Sequence, residues 1–216
     1  MINYVGLLEK EELSNETAEG YLEVLERQSN RLKKLIEDLI EASKASTGNL
    51  AVHLEKLEAG VSVVQIVGEF EDKLNAADLT LLIQKPETPV YVMADGRHFW
   101  RVIDNLMNNI CKYAQPGTRV YVDLRENGGQ VELIFRNTSR YPLNISSEEL
   151  MERFVRGDES RNTEGSGLGI SIAKSLMELM GGSFMLYVDG DLFKVVLGFA
   201  QMEEEKEPLD EDKSGK

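Results

Sequence analysis

The 216-residue chain has little cysteine, histidine or tryptophan, and it lacks long apolar runs. Its one cysteine, Cys111, cannot form a disulfide within the chain, which is typical of a reducing compartment. No stretch approaches roughly 18 apolar residues, and no basic-plus-apolar leader occurs, so no membrane span or secretory signal is predicted. We therefore expect a cytoplasmic location, with any membrane attachment made by segments of a parent protein outside this chain.

Basic residues are in the minority, with 24 lysines and arginines against 38 acidic residues and a net charge of −14. Such a chain repels the phosphates of nucleic acids and anionic lipids, so neither is expected as a direct partner. Part of the charge is local, because residues 202–216 read as a solvated acidic tail. The hydrophobic fraction of 42% is high enough to build a packed core.

Residues 1–49 are predicted to form a helical hairpin. Its second helix carries a stripe of residues at alternating spacings of four and three, the pattern of a coiled coil or a four-helix bundle, namely Tyr21, Leu25, Gln28, Leu32, Leu35, Leu39 and Ala42. A hairpin this short cannot bury so wide a face alone, so a second copy would complete the bundle as a homodimer. The alternative is that the stripe packs on the chain's own second half.

Residues 50–201 mix helical and strand-like segments. Strands are predicted near residues 52–57, 79–83, 90–93, 120–125, 131–136, 183–188 and 192–199, and helices near 63–74, 97–114, 146–153 and 168–180. The predicted fold class is therefore α+β. A helical hairpin, half of a dimeric four-helix bundle, precedes an α/β sandwich whose mixed sheet is covered by helices on one face.

A glycine-rich turn runs into an apolar helix at residues 165–169, with the sequence Gly-Ser-Gly-Leu-Gly. Glycines let backbone N–H groups turn toward a phosphate, and the positive end of the helix attracts anions. The turn differs from a Walker A loop, because no Gly-Lys-Ser/Thr follows, and from a dinucleotide fingerprint, because no strand leads directly into it. A plain helix-entry loop is the alternative for this motif taken alone.

A second motif is the asparagine-rich stretch at residues 105–113. Asn105 and Asn109 are four residues apart and therefore lie on one helix face. Amide oxygens suit Mg²⁺, and a neighbouring lysine such as Lys112 suits phosphate oxygens. Three asparagines within five residues lower helix propensity, so they favour a functional interpretation over a purely structural one.

Together these motifs resemble those of sensor histidine kinases. Residues 105–113 are similar to the N box of that family, residues 152–158 to its F box, and residues 165–169 to its G2 box, in the same order and with similar spacing. Residues 1–50 resemble the end of the family's dimerisation and histidine-phosphotransfer domain. The resemblance covers nearly the whole chain except the acidic tail.

The resemblance implies that the chain binds ATP and Mg²⁺ and transfers the γ-phosphoryl group to a histidine, for relay to a response regulator. Asn109 would be the magnesium ligand, and Phe154 would belong to a mobile lid. The other ATP-binding positions that it implies are Asn105, Lys112, Tyr113, Asn137, Arg156, Arg161, Gly165, Gly167, Leu168 and Gly169.

The chain departs from the family pattern at two places. Members usually carry Asp-x-Gly-x-Gly after a strand, and its aspartate accepts a hydrogen bond from the adenine amino group. Here Asn137 takes the aspartate's place and the glycines are missing, although an amide oxygen can still accept that bond. The second departure is the acceptor, because neither His53 nor His98 lies on the predicted hairpin. We therefore expect the phosphorylated histidine to precede residue 1 in a longer kinase.

Two other functions stay open on the sequence alone. A non-catalytic, nucleotide-sensing adaptor could use the same fold without phosphoryl transfer, and Asn137 is the residue that favours it. A gyrase-type or mismatch-repair ATPase of the same superfamily is the other. The short distance between the asparagine and glycine motifs and the N-terminal hairpin argue against that ATPase.

Overall fold

The computed structural model describes residues 15–46, 50–143, 146–151 and 167–202. The helices are α1 Asn15–Ser46, α2 Ala59–Gly68, α3 Glu71–Ala76, α4 Gly96–Tyr113, α5 Ser147–Met151 and α6 Gly169–Leu179. The strands are β1 Glu55–Glu58, β2 Leu79–Gln84, β3 Tyr91–Ala94, β4 Thr118–Asn127, β5 Gln130–Thr138, β6 Ser183–Asp189 and β7 Leu192–Ala200. The predicted α+β class is confirmed, and α1 is the second arm of the predicted hairpin. The first arm lies outside the described residues.

Five strands form one mixed sheet in the order β2-β4-β5-β7-β6. Only the β2–β4 pair is parallel, and the other three pairs are antiparallel. The turn between β4 and β5 contains Gly128 and Gly129, both at positive φ, as a two-residue hairpin requires. A separate two-stranded antiparallel sheet pairs β1 with β3.

One face of the large sheet is covered by helices α4 and α6. Alternate residues along β5, such as Val131, Leu133 and Phe135, are fully buried, as the two-residue period of a strand requires. Leu106 and Ile110 of α4 and Ile172 and Leu176 of α6 are almost completely buried as well. The predicted sandwich, with helices on one face of a mixed sheet, is therefore confirmed.

Helix α1 contacts the remainder of the chain mainly through its C-terminal part, which packs against α6. Asp38 and Ala42 are buried there, at 5% and 2% exposure. Leu32, Ile36 and Leu39 remain nearly half exposed. Packing on the chain's own second half thus buries one end of the stripe and leaves Leu32 and Leu39 partly exposed.

Two predicted elements differ from the structure. The strand expected at residues 52–57 begins only at Glu55, because its partner β3 ends at Ala94 and the N–H of His53 donates instead to the Asp95 carboxylate. The helix expected at residues 63–74 is instead two helices, α2 and α3. Helix α2 ends in backbone hydrogen bonds that span three residues, from Glu69 to Ile66 and from Phe70 to Val67, and the Phe70 side chain is buried. Among the described helices, none is both long and apolar enough to cross a membrane.

Candidate functional site

Helix α4 carries the asparagine motif and is fixed at both ends. The Asp95 side chain caps its first turn by accepting from the N–H groups of Arg97 and His98 at 3.0 and 3.3 Å. Its other end stops at Ala114, which is extended and donates its N–H to Ile110. The capped start and the buried apolar face fix the rotation of α4 and therefore the positions of its asparagines.

Asn105 lies directly beside the start of α6. A Cβ placed on Gly169 would be 3.5 Å from Asn105 Oδ1. The Nδ2 atom of Asn105 is buried and has no hydrogen-bond partner among the described residues. A buried donor without a partner is costly unless a ligand satisfies it. The asparagine motif and the start of α6 are therefore in contact.

The start of α6 is an open helix terminus. Gly167 adopts φ +71°, the left-handed region that favours glycine, and Leu168 anchors the turn at 1% exposure. Helices α2 and α4 begin with carboxylate caps from Glu58 and Asp95, whereas within the described part of the chain no side chain caps α6. An N-terminal helix turn without a side-chain cap is a general binding place for an anion such as phosphate.

The end of β5 is held beside the end of α4. The N–H of Gln115 donates to the Thr138 carbonyl at 2.9 Å, and the N–H of Arg140 donates to the Tyr113 carbonyl at 2.8 Å. This brings Asn137 to the same end of the sheet as the asparagine helix. Asn137 is 4% exposed, and its Oδ1 atom has no hydrogen-bond partner in the described structure.

The remaining predicted residues divide into two groups. Asn109, Lys112 and Tyr113 lie along the last turns of α4 and are partly exposed. The Lys112 ammonium lies 4.8 Å from the centre of the Tyr113 ring. Other predicted positions lie outside the described residues, namely Phe154, Arg156, Arg161 and Gly165.

Asn108, the third asparagine of the motif, stabilises the fold. Its Nδ2 donates to the backbone and side-chain oxygens of Asp104 at 2.8 and 2.7 Å, and its Oδ1 accepts from Lys73 Nζ at 3.1 Å. Asn108 thus connects α4 to α3. At least one asparagine of the motif therefore has a structural role.

Sequence reasoning missed a charged cluster next to the site. Arg101 lies one turn before Asn105 on the same strip of α4, and it binds Asp38 and Glu41 of α1 at 2.8 and 3.0 Å. It also contacts Asp104 at 3.3 Å. The only sequence signal was the i, i+3 pair of Arg101 and Asp104, since the other partners are 63 and 60 positions away.

The two histidines lie where the segment from α1 enters the second half of the chain. His98 Nε2 lies 3.1 Å from the Ala51 carbonyl oxygen, and the N–H of His53 donates to Asp95 at 2.9 Å. Both contacts fasten this connecting segment to the start of α4. Neither histidine lies on α1.

The described part of the site offers amide groups and a helix start without a side-chain cap. No group of three or more His, Cys, Asp or Glu side chains in the described ranges is arranged to hold a metal. Mg²⁺ keeps several waters and commonly binds through one or two protein oxygens plus substrate phosphates, which a single amide can satisfy. Among the described residues, the buried Asn105 Nδ2 and Asn137 Oδ1 atoms lack hydrogen-bond partners, and no described side chain caps α6.

A protein-family model described as histidine kinase-, DNA gyrase B-, and HSP90-like ATPase matches residues 94–207, more than half of the chain. The chain belongs to this ATPase family. The match begins just before α4 and includes the asparagine helix, the end of β5 and the start of α6. Within the family, the chain is a catalytic ATP-binding domain of the sensor histidine kinase type, as its motifs predicted.

Curated relatives at 25–26% identity are sensor proteins. The chain is 25% identical over 183 residues to sensor protein DivL of Caulobacter vibrioides, a match that covers 84% of this chain and 23% of DivL. It is 26% identical over 188 residues to sensor protein kinase WalK of Staphylococcus aureus, covering 84% of this chain and 45% of WalK. The chain therefore spans less than half the length of these relatives.

Solved structures support the fold. Full-length ShkA in complex with AMPPNP superposes with a TM-score of 0.74 at 18% identity, covering 90% of this chain and 41% of ShkA. Histidine kinase ThkA in complex with response regulator protein TrrA superposes with a TM-score of 0.68 at 15% identity, covering 94% of this chain and 57% of that one. The architecture of the described residues, a long helix followed by the sandwich, is thus shared with these proteins.

Proposed function

We propose that the chain is the ATP-binding catalytic portion of a protein-histidine kinase, which binds ATP with Mg²⁺ and transfers the γ-phosphoryl group to a histidine outside this chain. The observation that carries the proposal is that Asn105, on the asparagine strip of α4, lies beside the start of α6, which no described side chain caps. The end of β5, with the partnerless acceptor of Asn137, is hydrogen-bonded to the segment that follows α4.

Each residue has a distinct part in the proposed binding. The α6 N–H groups behind Gly167 and Leu168 attract the phosphates, with Gly169 placing Asn105 beside them. Asn109 supplies the amide oxygen for Mg²⁺. Lys112 and Tyr113 flank the phosphates. When bound, ATP supplies the transferable phosphoryl group, and the chain contributes positioning and charge neutralisation.

Positions outside the described residues complete the proposed site. Phe154 belongs to a lid over the nucleotide, Arg156 or Arg161 steadies the γ-phosphate, and Gly165 extends the phosphate-binding turn. Their support is the order of the family motifs in the sequence.

The proposed partners are a second copy of the chain and a response regulator. The half-exposed apolar stripe of α1 supports the dimer, because water-exposed leucine and isoleucine on one helix face favour association. The ThkA–TrrA complex, which shares the fold, supports a regulator as the receiver of the phosphoryl group. The family match and the sensor-kinase relatives favour this function over a non-catalytic adaptor.

The test has two stages. Calorimetric titration of the full chain with ATP should show binding that weakens strongly when Mg²⁺ is removed. Incubation with γ-labelled ATP should leave the chain unlabelled, because His53 and His98 hold the connecting segment and are not on α1. A longer sensor kinase carrying an upstream histidine, mixed with this chain, should gain acid-labile label. Binding of ATP without transfer to any such partner would instead support the adaptor.

A further inference from the structure

Strand β6 lies at one edge of the five-stranded sheet and pairs with β7 alone. A two-residue turn joins the two strands, so Asp189 and Leu192 form the closing hydrogen-bonded pair. Bonded and non-bonded pairs alternate along an antiparallel ladder. The residues of β6 whose backbone N–H and C=O groups point away from β7 are therefore Phe184, Leu186 and Val188.

This outer edge of β6 is unpaired and unprotected. Within the described ranges, Phe184, Leu186 and Val188 make no backbone hydrogen bond to any element other than β7. Soluble proteins usually block such an edge with charged side chains, proline or a bulge. Residues 183–188 contain no charge and no proline, and their register with β7 is continuous. The edge can therefore accept a further strand.

The side chains of β6 differ between the two faces of the sheet. Phe184 and Leu186 lie on the helix-covered face and are 9% and 6% exposed. Met185 and Tyr187 lie on the opposite face and are 41% and 48% exposed. The Tyr187 hydroxyl donates to Met185 Sδ at 3.4 Å, and Lys194 Nζ lies 5.1 Å from the centre of the Tyr187 ring. Two large side chains are thus exposed directly beside the unpaired edge.

We propose that β6 pairs antiparallel with β6 of a second copy of the chain, with the two-fold axis at Leu186. In this register Met185 faces Tyr187 of the second copy, and Phe184 faces Val188. The outward backbone groups of the two strands then form about six hydrogen bonds, two in each of the three bonded pairs. The two five-stranded sheets become one continuous sheet.

The strand is complementary to itself in this register. A chain with a net charge of −14 repels its own copy, so a contact between copies must keep carboxylates apart. Asp189, the only charged residue of β6, faces the Ser183 hydroxyl and not another carboxylate. Met185 and Tyr187 occupy a non-bonded pair, in which side chains lie closest, and sulfur packs favourably against an aromatic ring.

The contact is small and separate from association through α1. One pair of strands buries less than a standard interface, so we expect a dissociation constant of about 0.1–1 mM. The contact is then largely dissociated at the micromolar concentrations at which a dimer through α1 would form. In chains already paired through α1, it would join one dimer to the next. It requires neither nucleotide binding nor phosphoryl transfer.

The test is sedimentation equilibrium of the full chain up to about 1 mM, in the Leu39→Glu background that removes association through α1. The chain should form dimers and no larger species, because a two-fold contact closes at two copies. Met185→Lys combined with Tyr187→Lys should weaken the dimer at least about tenfold, since lysine then faces lysine twice. Met185→Lys combined with Tyr187→Glu places opposite charges across the same axis and should restore the dimer.

Leu82→Lys is the matched control. Leu82 is 39% exposed on β2, the other edge strand of the sheet, and its substitution should leave the association unchanged. Circular dichroism establishes that each variant is folded. A chain that stays monomeric up to about 1 mM, growth beyond dimers, or an equal loss in Leu82→Lys would each overturn the inference. So would a lysine–glutamate variant that associates as weakly as the lysine–lysine variant. None of these results would affect the proposed function, which ATP titration of the same variants tests separately.

Discussion

Arg101 of α4 donates a 2.8 Å hydrogen bond to Asp38 of α1, across 63 positions of sequence. The same guanidinium binds Glu41 and Asp104, so three carboxylates surround one cation. Burial alone would lower the pKa of Arg101, but the charges of Glu41, Asp38 and Asp104 outweigh it and raise the pKa. Since Arg101 lies one turn before Asn105, this cluster joins α1 to the helix that carries the candidate site.

Substituting Arg101→Ala should therefore destabilise the chain by about 2–3 kcal/mol, because it leaves three carboxylates close together without their cation. Urea unfolding measures the effect. Arg97→Ala on the same helix is the matched control, since Arg97 is 74% exposed and should change stability by less than about 0.5 kcal/mol. Equal effects of the two substitutions would show that the Arg101 cluster does not stabilise the contact with α1.

Asp95 gives the chain a pH-dependent contribution to stability. Burial would raise the pKa of Asp95, but the N–H groups of His53, His98 and Arg97 and the charge of His98 lower it from 3.8 to about 2. The unfolded chain therefore takes up the proton first as the pH falls. The stabilisation is complete above pH 3.8 and is lost as the pH falls toward 2.

Asp95→Ala should accordingly lower the free energy of unfolding by about 2 kcal/mol at pH 7. The difference from wild type should shrink between pH 4 and pH 2. Urea unfolding at pH 7, 4, 3 and 2 measures it. Asp72→Ala, an exposed residue in the first turn of α3, should change stability little at neutral pH. A loss of stability in Asp95→Ala that persists unchanged to pH 2 would contradict stabilisation by the ionised Asp95 carboxylate.

Local sequence patterns predicted the fold well, but they did not predict the long-range contacts. The hairpin at Gly128 and Gly129 and helix α4 follow from turn chemistry and apolar spacing that can be read within about twenty residues. The meeting of Asn105 with Gly169 was predicted through the family resemblance, because motif order implies a shared site. The bond of Arg101 to Asp38 had no sequence signal, since charged residues are common on exposed helix faces.

The backbone contribution to the site was also hidden from the sequence. A carbonyl oxygen such as that of Thr138 exists at every position, so only the fold shows that it accepts from both Gln115 and Asn137. Likewise, the motif itself did not show that Asn108 binds Asp104 and Lys73 and so has a structural role. Residue types predicted which groups could bind a ligand, whereas the hydrogen-bond partners of those groups required the structure.

The two neighbouring asparagines provide a paired test of the magnesium site. Asn109→Ala should remove most of the Mg²⁺-dependent ATP affinity while the circular dichroism spectrum stays unchanged, because the lost group is the proposed metal ligand. Asn108→Ala should keep the affinity near that of wild type and lower stability by about 1 kcal/mol, since it loses hydrogen bonds within the fold. Titration calorimetry and urea unfolding measure the two effects. If Asn108→Ala removed the Mg²⁺-dependent affinity and Asn109→Ala kept it, the metal ligand would be Asn108.

The apolar stripe of α1 gives the last prediction. In a single chain Leu39 is 49% exposed, so a charged side chain there should be tolerated by the isolated fold. In the proposed four-helix bundle the same position is buried against a second copy, where an unpaired charge costs several kcal/mol. Leu39→Glu should therefore convert dimers to monomers in sedimentation equilibrium without a loss of helical signal. Lys33→Glu is the control, because Lys33 is 75% exposed on the solvated side of the helix, and it should leave the dimer intact. A wild-type chain that sediments as a monomer, or a Leu39→Glu dimer as stable as wild type, would refute assembly through this stripe.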